Sequence, residues 1–351
     1  MTGTGDPATP RVAIVGAGAW GTTLAVLIGR VEPVVLIAHD PKSAAAIEAA
    51  RENARRLPGI ELPRAVRVSA DPAALEDATD LVIFAAPSAH LRETVERVAG
   101  HVAPTADLLS VVKGLESGTL ARMTEVIASA GGFPLRRLAA LSGPNLAGEI
   151  ARGLPASAVV AAEDPQLADR IVERLGRREF RLYVNSDVLG VELCGALKNI
   201  LAIAAGAVDE LGFGDNGKAG LMTRGLAEMT RLGVAVGANP VTFAGLAGIG
   251  DLIATCGSTL SRNHRVGTEL AKGRSWSDIE AALPGVAEGA YTVDAALALA
   301  ARHNVEMPIA QEVHNALFEG KSVQRCLIDL LSRESKDELA DAGAWAARLR
   351  R

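Results

Sequence analysis

Short, unbroken apolar runs recur through the first half of the chain: RVAIV (11–15), VVLIA (34–38), VRVS (66–69), LVIFAA (81–86), LLSVV (108–112) and LAALS (138–142). Continuous rather than alternating apolar character marks parallel strands buried on both faces. Segments with helical spacing, such as Thr22–Arg30 and Leu91–Gly100, supply the crossovers, and SAVVAA (157–162) and FRLYV (180–184) extend the strand series. The pattern predicts a doubly wound α/β domain. From Val188 the period changes. Ala/Leu-rich runs at helical spacing cover 188–208, 217–236, 266–273, 277–282, 291–303 and 309–318, with Gly and Pro between them. The predicted organisation is a flexible N-terminus (1–10), an α/β domain (11–187), an all-helical domain (188–335) and a charged tail (336–351) with no assigned role.

Within this pattern one position is out of place. VLGVELCGALKNILAIAAGAV (188–208) is nearly all apolar, yet carries Lys198–Asn199 at its centre. An ammonium is rarely buried without a partner, and only seven of the 36 basic residues are lysines. The bland alternative is a lysine snorkelling at a helix edge. Some sixty residues on comes the polar cluster Ser261-Arg262-Asn263-His264-Arg265, after a glycine-rich stretch that ends in Asp251. A lone basic group plus a loop of basic, hydroxyl and amide groups suits a small phosphorylated substrate. Asp251 is also placed to be a helix N-cap, and the cluster to be a solvated loop.

Composition narrows the class. A net charge of −5 speaks against a general nucleic-acid binder, so any anion site is local. Cys194, Cys256 and Cys326 are far apart, with neither a CxxC pair nor metal-ligand spacing, which predicts reduced thiols, a cytoplasmic setting and no metal. Two runs without charge, Val12–Gly29 and Leu232–Gly250, contain loop glycines or Asn239-Pro240 and are read as soluble core rather than membrane spans. MTGTGDPATP lacks the features of a signal peptide.

Gly16-Ala17-Gly18-Ala19-Trp20-Gly21 fits GxGxxG, after a predicted strand and before a predicted helix. In such a loop Gly16 permits the turn, Gly18 admits the pyrophosphate to the backbone and Gly21 lets helix pack on strand. The helix N-terminus then offers N–H groups to the phosphates. The ribose is read at the end of the second strand, where His39-Asp40 leaves NAD and NADP both open: the carboxylate suits a 2′-hydroxyl, the imidazole a 2′-phosphate.

With GAGAWGTTLA, VVKGLE, LSGPNLAGEIARGLPA, GVELCGALKNILAIAAG, GLAGIGDL-TC, LSRNHRVG and EGAYTV in view, the chain resembles the bacterial-type NAD(P)-dependent glycerol-3-phosphate dehydrogenases from Arg11 to about Leu331. The resemblance implies a Rossmann domain followed by a helical one and a homodimer. It also implies reversible reduction of dihydroxyacetone phosphate to sn-glycerol 3-phosphate, a precursor of glycerophospholipids, with a lean toward NADP. Residue by residue it makes Lys198 the catalytic lysine and brings Lys113, Gly143, Asn145, Asn199, Asp251, Ser261, Arg262 and Asn263 to the substrate. Gly16, Gly18, Ala19, Trp20, Gly21, His39, Lys113, Ala147, Arg262, Val286 and Glu288 fall to the cofactor. Ala19 stands where Ser is frequent, and Asn145 where Ser or Thr is usual.

The chemistry is consistent with that assignment. Ketone reduction needs hydride at carbon and a proton at oxygen, and Lys198 can hold the oxygen and deliver the proton. Arg262 and Asn263 suit a phosphate. A related two-domain dehydrogenase of another hydroxy acid, or a dinucleotide-binding sensor without turnover, are the competing readings.

Overall fold

A computed structural model describes residues 10–78, 80–283, 285–334, 337–338 and 345. The expected flexible start, up to residue 9, and most of the expected tail lie outside the described residues. The chain divides into two compact units. One comprises residues up to Val112, Met123–Leu141 and Leu146–Ser186; the other comprises Lys113–Arg122, Ser142–Asn145 and the chain from Asp187 onward. Two short segments of the N-terminal half therefore group with the helical unit, which no cut at a single position captures.

The first unit holds an eight-stranded sheet: β1 (Val12–Val15), β2 (Val34–Ile37), β3 (Val66–Ser69), β4 (Leu81–Phe84), β5 (Asp107–Ser110), β6 (Leu138–Ser142), β7 (Ala156–Ala162) and β8 (Phe180–Asn185). Their order is β3-β2-β1-β4-β5-β6-β7-β8. Pairings β1–β2, β1–β4, β2–β3, β4–β5, β5–β6 and β7–β8 are parallel. The first six strands follow the order of a dinucleotide-binding sheet, with the reversal at β1/β4. Each apolar run named above became a strand; β1, β2 and β4 are buried at every position, whereas the edge strands β3 and β8 carry exposed residues.

Helices α1 (Ala19–Gly29), α2 (Pro41–Ala50), α3 (Leu91–Val98), α4 (Met123–Gly131), α5 (Ala147–Ala151) and α6 (Pro165–Leu175) join these strands. The first begins three residues earlier than Thr22, since Gly18 is already its N-cap.

The second unit is all helical: α7 (Val188–Glu210), α8 (Gly214–Val236), α9 (Pro240–Phe243), a π-helical turn (Leu246–Gly250), α10 (Asp251–Gly257), α11 (Arg262–Ala271), α12 (Trp276–Ala282), α13 (Glu288–Arg302), α14 (Pro308–Phe318) and α15 (Val323–Leu331). Asp187 starts α7, its Oδ1 accepting the Gly190 N–H at 2.9 Å while Oδ2 accepts from Asn239 and Thr242 of the α9 corner. Helices α8, α10, α11, α13 and α14 pack around α7. This helix is long and apolar enough to cross a membrane, but 89% of its most apolar window is buried inside the protein.

Candidate active site

The nucleotide loop leaves β1 where the strand order reverses. Gly16 has φ +119°, and a Cβ on it would lie 2.7 Å from the Ala85 carbonyl carbon; one on Gly21 would lie 2.0 Å from the Gly16 oxygen. Both positions require glycine. Gly18 differs: nothing lies within 4 Å of where its Cβ would be, and it caps α1 without a side-chain bond. The N–H groups of Ala19 and its neighbours at this helix start thus suit an incoming anion. Trp20 packs edge-on against Phe180, and its buried indole N–H has no acceptor among the described residues. Ala147 opens α5 and accepts the Thr23 hydroxyl at 3.1 Å. Glycines that permit close approach, uncommitted helix donors and an orphaned indole N–H fit a dinucleotide.

At the end of β2, His39 is exposed. Asp40 caps α2 instead: its Oδ1 accepts the Ser43 N–H at 2.8 Å and its Oδ2 the Ser43 hydroxyl at 2.7 Å. These bonds, with the nearby imidazole, hold the Asp40 carboxyl below its usual range.

In the helical unit, α7 delivers Lys198 to a buried acid. Its ammonium donates to Asp251 Oδ1 at 2.9 Å and to Thr255 Oγ1 at 2.5 Å. Lys113 donates to Asp251 Oδ2 at 2.5 Å and to the Gly143 carbonyl at 3.0 Å. One carboxylate, 1% exposed, therefore serves two lysines. Burial works to raise the Asp251 pKa, yet the two ammonium groups hold it below the usual range. Burial and the Lys198 charge outweigh Asp251 at Lys113 and bring its pKa down to about 8. Each ammonium has two of its three N–H bonds engaged, so each keeps one for a ligand. Asp251 is the first residue of α10 and makes no capping bond; its oxygens accept from the two lysines and, at Oδ1, from the Thr255 hydroxyl at 3.1 Å.

Two residues beyond Gly143, both amide atoms of Asn145 are buried without a hydrogen-bond partner among the described residues, as is Ser142 Oγ. Such orphaned atoms are rare in folded proteins and each calls for an explanation. Here a polar ligand supplies one.

The cluster at 261–265, expected in a loop, instead opens α11. Ser261 is the N-cap, accepting the His264 N–H at 3.3 Å, and Arg262 is exposed in the first turn. Asn263 is buried and committed within the protein: its amide donates to Asn199 Oδ1 at 2.9 Å and its oxygen accepts the Gly289 N–H at 3.0 Å. Asn199 itself donates to the Gly195 carbonyl at 3.3 Å. Val286 and Glu288 lead into α13, one residue to either side of its N-cap Ala287.

Among the residues named from sequence, the structure unites Lys113, Gly143, Lys198 and Asp251, and separately Asn199 with Asn263. Sequence reasoning missed Thr255 and Ser142. Thr255 had a signal, lying four residues after Asp251 and hence above it on one helical face. Cys194, four residues from Lys198, is fully buried, and burial pushes its thiol well up, leaving a small apolar side chain.

Residues 11–168 match the profile of the NAD-dependent glycerol-3-phosphate dehydrogenase N-terminus, and residues 187–328 that of its C-terminus. The chain is 46% identical over 331 residues to glycerol-3-phosphate dehydrogenase [NAD(P)+] of Chlorobium limicola, covering 94% of this chain and 99% of the relative. Its Streptomyces griseus counterpart is 44% identical, over 93% and 98% of the two chains. The crystal structure of glycerol-3-phosphate dehydrogenase from Coxiella burnetii superposes with a TM-score of 0.87 at 38% identity, over 92% of this chain and 98% of that one. The chain belongs to the NAD(P)-dependent glycerol-3-phosphate dehydrogenase family.

Proposed function

We propose that the enzyme interconverts dihydroxyacetone phosphate and sn-glycerol 3-phosphate through the Lys113–Asp251–Lys198 cluster, with Lys198 as proton donor and acceptor. The three-way contact carries this reading: it supplies two ammonium N–H bonds for the substrate and one buried carboxylate to hold both ammoniums in place. A nicotinamide dinucleotide held by the Gly16–Gly21 loop would supply or accept the hydride. Lys198 holds the ketone oxygen, stabilises the developing alkoxide and gives up its proton as the C–H bond forms. In the other direction its neutral amine takes the hydroxyl proton. Asp251 stays ionised throughout. Lys113 and the amide of Asn145 orient the substrate, with Gly143 setting the Lys113 ammonium. Arg262 grips the phosphate with the N-terminus of α11, where the helix dipole favours an anion. Ser261 belongs to that same turn. Asn263 and Asn199 support the grip from behind, since the Asn263 amide is already bonded at both ends.

For the cofactor, the loop residues Gly16 to Gly21 and Ala147 are the proposed contacts. Asp40 spends both carboxylate oxygens on Ser43, leaving exposed His39 to meet the ribose. An imidazole donates to a 2′-phosphate, which favours NADP. Three buried, unpaired cysteines suit the reducing cytoplasm.

The test is loss of nicotinamide absorbance with dihydroxyacetone phosphate, run with NADPH and with NADH. Rapid oxidation, faster with NADPH, is the expected result. Equal turnover of unphosphorylated dihydroxyacetone would refute the phosphate grip.

A further inference from the structure

Lys113 stands at one end of a closed loop, and the other end of that loop is fastened to the helix that carries Lys198. Leu115 bridges antiparallel to Arg122, the Glu116 N–H donates to the Ala121 carbonyl at 3.0 Å, and the Leu120 N–H returns to the Glu116 carbonyl at 2.9 Å. Leu115 and Leu120 are buried beneath the loop. Leu120 has φ +62°, a left-handed conformation that a leucine keeps only where its surroundings over-determine it. The loop is therefore a shaped object, and moving one end moves the other.

Its far end is held by charge. Arg122 Nη1 lies 2.9 Å from Glu192 Oε2 on α7, and the Glu192 side chain is only 4% exposed. A buried carboxylate is costly unless paired, and the proposed chemistry has no use for this one. Along α7, Glu192, Gly195 and Lys198 follow at three-residue steps, each next to the last. The middle position is bare: a Cβ on Gly195 would lie 2.8 Å from Ser142 Oγ and 3.3 Å from Lys113 Cγ. The Lys113 stem thus lies against the α7 backbone, one turn from the ion pair in one direction and one turn from Lys198 in the other.

We propose that the Arg122–Glu192 pair is a positioning device for Lys113. It clamps the 113–122 loop to α7, so that the Lys113 ammonium meets Asp251 and the Gly143 carbonyl in the register set by the Lys198 helix. Arg122 and Glu192 are positioning residues; they act on substrate only through Lys113. The inference rests on Lys113 belonging to the proposed active site.

The experiment measures kcat, the KM for dihydroxyacetone phosphate and the pH dependence of kcat/KM between pH 6.5 and 9.5 for the intact enzyme and for Arg122→Gln, Glu192→Gln, Arg122→Lys and Lys113→Met, per folded molecule. Reduction requires the Lys113 ammonium, so the intact enzyme loses kcat/KM as pH rises through about 8. Unclamping the loop returns the ammonium to water and moves that limb toward the ordinary lysine range. Arg122→Gln and Glu192→Gln are expected to raise KM about tenfold and shift the limb upward by half a pH unit or more. Arg122→Lys, which keeps a cation for Glu192, stays within about twofold of the intact enzyme. A limb unmoved in both neutral variants overturns the proposal, whatever their melting temperatures, because a merely structural pair alters the amount of folded enzyme and not this limb. Should Lys113→Met itself retain the limb and the intact KM, the assignment of Lys113 to the site fails, and that outcome is separate from the first.

Discussion

Asp251 concentrates the electrostatics of the helical unit in one side chain. Replacing it with Asn leaves two ammonium groups facing each other beside an amide, with no counter-charge. Breaking a buried ion pair in this way costs about 3–5 kcal/mol, so Asp251→Asn should lower the denaturation midpoint markedly as well as abolish turnover. Lys198→Ala differs, because Thr255 and Lys113 still satisfy the carboxylate. That variant should keep its fold and bind NADPH with near-normal affinity while losing kcat by at least about 10²–10⁴-fold, the range for removing a general acid. Chemical denaturation and cofactor fluorescence titration separate the two cases; an Asp251→Asn enzyme as stable as the intact one would show that the carboxylate is not charged in the fold. At this scale the sequence was informative where a residue was out of character. Lys198 stood out against its apolar surroundings, and Asp251 against the glycines before it. Thr255 and Ser142 did not, since a threonine in a helix and a serine at a strand end are ordinary until the fold brings a lysine to them.

Helices meet closely here because glycines let their backbones touch. A Cβ on Gly267 of α11 would come within 1.8 Å of the Ile203 carbonyl oxygen on α7, and one on Gly206 within 1.8 Å of the His264 oxygen. The crossing is reinforced by His264 Nε2 against Asp209 Oδ2 at 2.7 Å, with Lys218 of α8 on the same oxygen at 2.6 Å. This crossing fixes Arg262 relative to Lys198. Gly267→Ala should therefore cost about 3 kcal/mol or more, a backbone oxygen having nowhere to go, and raise the KM for the phosphorylated substrate. Gly220 on α8 is the control: exposed, helical and with nothing near its Cβ position. Gly220→Ala should stabilise by about 0.5–1 kcal/mol through helix propensity alone. Thermal melts of the pair test both signs, and a tolerated Gly267→Ala would mean that α11 does not set the grip. The elements themselves were legible from apolar runs, each of which became a strand. The end of α8 at Val236 was legible as well, because Gly237, at φ +117°, and Asn239-Pro240 interrupt the charge-free run. What pattern could not show was the π-helical turn beyond it and its passage into α10. Nor could it show that residues 113–122 and 142–145 side with the helical unit, since that grouping rests on contacts distant in sequence.

For the molecule as a whole, stability should carry the mark of a further buried acid besides Asp251 and Glu192. Glu228 of α8 is 1% exposed, and its two oxygens accept the backbone N–H groups of Ile309 and Ala310, each at 3.0 Å, at the start of α14. Burial raises its pKa to about 7, against the pull of those two bonds and of the Arg231 and Arg333 charges. Between pH 4.5 and 7 the folded protein then keeps a proton that the unfolded chain has released. Stability falls wherever the folded state binds more protons, so this group lowers stability as pH rises across that window, by something of order 3 kcal/mol over the whole of it, and adds no further slope above pH 7. Glu228→Gln removes the titration and sets an amide donor against a backbone donor, a cost of about 1–3 kcal/mol that does not vary with pH. The melting temperature of the intact enzyme minus that of Glu228→Gln should accordingly decrease from pH 5 to pH 7 and level off by pH 8. A difference that stays constant from pH 5 to pH 8 would mean that Glu228 is already ionised at the acid end, and that two backbone N–H groups are enough to hold a buried carboxylate at its ordinary pKa.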